Sequence, residues 1–139
     1  MPISGEKTAQ IFQKVARVCS TTEAVVAAYV FGSTVRSGKK IPDDIDVAVL
    51  IDEKNLDTFS VTGFASELEK ALACRTDLVI LNRAGELIKY HVRRDGILVV
   101  DRVPAIRKQF EIKGRKTYED FLYLHNRYVR SVVYGEQHG

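Results

Sequence analysis

Apolar positions along the chain fall into two periods, and they alternate from one end to the other. Ile11, Phe12, Val15 and Cys19 recur at three- and four-residue spacing, which predicts an amphipathic helix from Gly5 to about Cys19 with Ser4 as its N-cap. Val25 to Phe31 is unbroken apolar sequence that stops at Gly32, as a buried strand would. Residues 33–43 are polar and interrupted by Pro42, and read as a loop or short helical turn. Ile45 to Ile51 is a second apolar strand, closed by the polar stretch 52–55. Phe64, Leu68, Ala71 and Leu72 give the segment from about Thr58 to Ala73 a one-sided stripe. A short third strand follows at Leu78–Leu81. Leu87 to Arg93 reads as a short helix with Leu87, Ile88 and His91 on one side. A fourth strand, Ile97–Val100, comes after the Asp95-Gly96 turn. Pro104 suits the first turn of a long C-terminal helix, about 105–134, with an interruption expected near Gly114. Alternating strands and helices predict an α/β (α+β) fold, a mixed β-sheet with helices packed on it.

Composition narrows the class. The length of 139 residues fits one domain, 1–139, and 45% hydrophobic against 28% charged residues fits a globular chain with a real core. A net charge of +3 is too mild for a dedicated nucleic-acid or membrane-surface binder. No apolar stretch approaches the ~20 residues that span a bilayer. Cys19 and Cys74 lack metal or redox spacing and read as buried reduced thiols, so a cytoplasmic location is expected.

The chemistry lies between the first two strands. Side chains alternate faces on a strand, so Asp44 and Asp46 point the same way while Ile45 points into the core. Two carboxylates ~6.6 Å apart on one face suit a hard divalent cation. Asp43 cannot replace either, because its partner in register is Ile45; it reads as a loop or capping residue. The Gly32-Ser33 turn offers backbone N–H groups and a hydroxyl to phosphate, and Gly32 allows close approach of the backbone. Metal beside phosphate is the constellation of nucleotidyl transfer. Lys39 and Lys40 are compatible with phosphate charge and equally with a solvated loop.

Gly32-Ser33, with Asp44-Ile45-Asp46 eleven residues after the serine, resembles the signature of the polymerase-β-type nucleotidyltransferase superfamily. Short length and Arg36 after the turn resemble its minimal nucleotidyltransferases (MNT). The turn departs from the usual Ala-Arg-Gly, having Val35-Arg36-Ser37 with Gly38 one residue later. The resemblance runs from about residue 25 to 101 and implies a polymerase-β-like fold. It also implies a third carboxylate on a later strand, for which Asp77 in Arg75–Leu81 is the match, and a closing strand at 94–99. Carried over residue by residue, Asp44, Asp46 and Asp77 become the catalytic metal ligands for two Mg²⁺ ions, and Asp77 the general base. Gly32, Ser33 and Arg36 become the nucleotide-binding residues.

The activity so implied is Mg²⁺-dependent transfer of AMP from ATP to a hydroxyl. Many minimal nucleotidyltransferases are antitoxins that modify a tyrosine of a HEPN-domain ribonuclease toxin, which makes such a toxin the expected partner. The chain length is too short for the acceptor-holding domain of small-molecule enzymes, so the acceptor is expected to bring its own binding surface. Two other readings stay open: transfer to a small-molecule acceptor across a dimer interface, and a non-catalytic antitoxin that binds nucleotide and inhibits by covering its partner. His91 and His125 read as packed core histidines. Lys89, Arg93 and Arg94 read as a solvated helix face. Tyr118, Phe121, Leu122, Tyr128, Val129 and Val132 put apolar surface on the last segment, half of it expected on the sheet, with a partner or homo-oligomer interface as the alternative.

Overall fold

A computed structural model describes residues 5–32 and 44–138, with side chains from 8–32 and 44–133. Ser4, Ser33, Arg36, Lys39, Lys40 and Asp43 lie outside the described residues.

The chain order is α1 (Gly5–Ser20), β1 (Val25–Phe31), β2 (Asp44–Ile51), α2 (Val61–Leu72), β3 (Arg75–Ile80), α3 (Glu86–Asp95), β4 (Ile97–Asp101) and α4 (Pro104–His138). Short 3-10 turns at Glu53–Asn55 and Leu81–Arg83 follow β2 and β3. The four strands form one mixed sheet in the order β3-β2-β1-β4. β1 runs antiparallel to both β2 and β4, whereas β2 and β3 are parallel. A parallel pair needs a crossover, and α2 supplies it. Ser60 opens α2 by accepting a hydrogen bond from the Gly63 backbone N–H, and Ala73 closes it in the left-handed conformation.

Alternation along β2 divides the core in two. Ile45, Val47, Val49 and Ile51 face α1 and α2, packing with Val15, Cys19, Phe64 and Leu68. Ala48 and Leu50 face the other way, with Tyr29, Leu81 and Val92. A strand buried on both faces reads as an unbroken apolar run, which is why Val47–Ile51 shows no polar alternation. Asn82 fastens the far end of β2: its side-chain oxygen accepts from Ile51 N–H at 2.9 Å and its amide donates to Ile51 C=O at 2.8 Å.

The second face carries a clamp. Tyr29 on β1 donates to Glu111 Oε1 at 2.7 Å, and Arg107 bridges Glu111 and Asp101 at 3.1 and 3.0 Å. These contacts fix the start of α4 on the sheet.

Several expectations change. α4 is continuous through Gly114, which is buried and sits against Arg93. One glycine costs a helix only ~1 kcal/mol, which packing against α3 offsets. β3 begins earlier than expected, at Arg75, because pairing with β2 overrides the polar character of its first residues. On α3 the inward residue is Val92; Leu87, Ile88 and His91 are exposed. His125 is exposed as well. Tyr118 stacks on Tyr90 of α3, with ring centroids 4.4 Å apart, rather than on the sheet. Beyond it α4 leaves apolar side chains in solvent, Tyr128 being 66% exposed. Cys19 is buried, but Cys74 is only partly so.

Candidate functional site

The site forms where β1, β2 and β3 end together. Asp44 and Asp46 occupy alternate positions at the start of β2, on the face shared with Ala48 and Leu50. Parallel pairing sets Asp46 opposite Asp77 and Asp44 opposite Arg75. Partners across a parallel ladder share a face, so Asp77 joins the other two. Antiparallel pairing sets Phe31 opposite Asp46, which places Gly32 beside that carboxylate. Four of the six residues singled out in the sequence are thus brought together; Ser33 and Arg36 lie outside the described residues.

Gly32 has φ +78°, in the left-handed region, and a Cβ at this position would collide with Oδ2 of Asp46. No other residue fits without displacing the carboxylate. Asp46 is half-buried, and its carboxyl is pushed above the ordinary range. Burial is the main cause, followed by the charge of Asp77, a hydrogen bond with Asp77, and the charge of Asp44. Asp44 leans toward Arg75, 3.9 Å away, in a solvent-exposed pair worth ~0–1 kcal/mol.

Among the described residues, no three His, Cys, Asp or Glu side chains converge closely enough to hold a metal ion as they stand. Asp46 turns to Asp77 and Asp44 to Arg75, so the three do not aim at one point. Their chemistry nevertheless fits a hard divalent cation. All are oxygen donors on one face, and positive charge would relieve the repulsion that raises the Asp46 carboxyl.

A cleft of about 350 Å³ opens beside the carboxylates. Phe31, Gly32, Asp46 and Val79 line it from the sheet, and Ile88, His91 and Asp95 line it from α3. A larger cleft of about 580 Å³ lies at the opposite end of β1, between Thr21–Ala24 and the start of α2. It holds none of the expected site residues. The helix and its Leu87, Ile88 and His91 stripe were legible, but not that Ile88 and His91 line a cleft, since that depends on how α3 sits on the sheet.

The family described as "Polymerase beta, Nucleotidyltransferase" matches residues 13–105. The chain belongs to this nucleotidyltransferase family. Among solved structures, a chain of a toxin–antitoxin with AMP-PNP is 21% identical, with a TM-score of 0.65, covering 92% of this chain and 98% of that one. A chain from the complex of a tri-AMPylated Shewanella oneidensis HEPN toxin with an MNT antitoxin is 20% identical, with a TM-score of 0.64 and coverage of 95% and 99%. A minimal nucleotidyltransferase is 27% identical, with a TM-score of 0.50 and coverage of 70% and 95%. These likenesses bear on the fold. No curated protein matches the chain.

Proposed function

We propose that the chain, as a single nucleotidyltransferase domain, transfers AMP from ATP to a protein hydroxyl, and that the acceptor is a tyrosine of a HEPN ribonuclease toxin which it thereby silences. The observation that carries this reading is the gathering of Asp44, Asp46 and Asp77 on one sheet face beside Gly32. Membership of the nucleotidyltransferase family supports the reaction class. The acceptor is suggested by the solved complex of an MNT antitoxin with a tri-AMPylated HEPN toxin.

In this reading Gly32, Ser33 and Arg36 receive the triphosphate, Gly32 through close backbone approach. Asp44, Asp46 and Asp77 would hold two Mg²⁺ ions, whose chemistry is charge neutralisation at the phosphates and acidification of the acceptor hydroxyl. Asp77 is exposed, where an acceptor can reach it, and takes the hydroxyl proton. The acceptor oxygen forms its bond to the α-phosphorus as the bond to pyrophosphate breaks. Tyrosine suits such a base because its pKa of ~10 is low for a hydroxyl.

Nucleotide titration tests the binding half. ATP should bind with Mg²⁺ and far more weakly in EDTA, and Asp77→Asn should keep substantial affinity while transfer falls by ~10²–10⁴. Equal affinity in EDTA would sink the metal site; wild-type turnover in the Asn variant would remove Asp77 from its role.

A further inference from the structure

The cleft between the sheet and α3 is not used by the phosphate and metal chemistry, yet two of the residues that carry that chemistry line it. These are Gly32 and Asp46. Phe31 and Val79 of the sheet and Ile88 of α3 give its lining apolar surface. His91 and Asp95 stand on the helix side, and Asp95 is held by the Arg94 guanidinium at 2.9 Å. A flat apolar ring with polar edges would find π and aliphatic surface on its faces and hydrogen-bonding groups on its rim.

Two rings come to the site in the proposed reaction, the nucleobase and the acceptor phenol. The volume of about 350 Å³ lies at the small end of ligand pockets (~300–1,000 Å³) and suits a nucleoside better than a protein segment. Asp77, the group an acceptor must reach, is exposed and does not line the cleft. Gly32 does line it, so a ligand whose phosphates rest against Gly32 lies beside the cleft. Resting on the nucleotidyl-transfer reading, we propose that this slot takes the base of the donor nucleotide, seated between Phe31 and Ile88, with His91 as a specificity-determining residue at its edge.

The test compares MgATP with magnesium tripolyphosphate, which carries the phosphates and no base, by calorimetry. Ile88→Trp, at an exposed helix position, fills the slot, and His91→Ala removes its rim group. Both should weaken MgATP by about tenfold or more, the scale of one lost base-stacking or edge contact, and leave tripolyphosphate unchanged. On the unmutated chain, 8-azido-ATP should photolabel the peptide that contains residues 86–95. Unchanged MgATP affinity in both variants, or labelling confined to other peptides, overturns the slot. So does loss of transfer with MgATP affinity intact, because the slot would then hold the acceptor. A wild-type chain that binds neither MgATP nor tripolyphosphate instead overturns the nucleotidyl-transfer reading, and the slot falls with it.

Discussion

Asp46 is the residue on which the local electrostatics converge. Burial and two neighbouring carboxylates raise its pKa, so in the folded protein its charged form is disfavoured relative to the unfolded chain. The consequence for stability has a definite sign. At neutral pH the fold carries a charge it resists; as pH falls through the raised folded value, the folded state takes up a proton before the unfolded state does, and stability recovers. Asp46→Asn should therefore be more stable than wild type at pH 7 without divalent cation, and the gap should narrow on acidification. Denaturant midpoints at pH 7 and in the acid range measure it; a less stable Asn variant at pH 7 would contradict the assignment. Gly32 makes the complementary case. Alanine there must adopt a left-handed backbone and push into Asp46, so Gly32→Ala should cost ~1–2 kcal/mol and weaken Mg²⁺-dependent nucleotide binding. Unaltered binding by titration would free Gly32 of any role at the site. The Asp44/Asp46 pair was legible in the sequence because strand alternation is a local rule. The turn of Asp44 toward Arg75 and of Asp46 toward Asp77 was not, since it depends on the register of β2 against β3.

Among the elements, the strands were the easiest to read. β1 matches its apolar run from Val25 to Phe31, because a strand covered on both faces has no polar residue to blur its limits. α3 was the hardest. Its Leu87, Ile88 and His91 stripe has helical spacing, but only ten residues separate its ends, and α4 rather than the stripe decides its orientation. Tyr90 stacking on Tyr118, with Arg93 5.9 Å from both rings, turns Val92 inward and leaves the stripe facing the cleft and solvent. The clamp of Tyr29, Glu111, Arg107 and Asp101 spans 82 positions of sequence between its tyrosine and its glutamate, too far for any local pattern to reveal. It yields a prediction at this scale. Tyr29→Phe should lose ~1–2 kcal/mol, one hydrogen bond to a charged group. Arg107→Ala should lose more, because it leaves Asp101 and Glu111 without their shared cation. Chemical denaturation measures both; if Arg107→Ala proves the milder change, the clamp does not hold α4.

At the scale of the whole molecule, the sheet sorts its two faces by task. One face is wholly structural, sealed by α1 and α2. The other carries a core against α3 and α4 along most of its length and places three carboxylates at one end. The second half of α4 extends past the sheet with Tyr123, Leu124 and Tyr128 all more than 60% exposed. We propose that these carboxylates drive transfer of AMP to a second protein. The most direct test is intact-mass spectrometry of a HEPN ribonuclease partner after incubation with this chain, ATP and Mg²⁺. The expected result is a mass increase in whole AMP units, loss of ribonuclease activity, and neither change when Asp44 and Asp46 are both replaced by Asn. A partner that stays at its original mass yet is inhibited, equally by wild type and by the double variant, would contradict it.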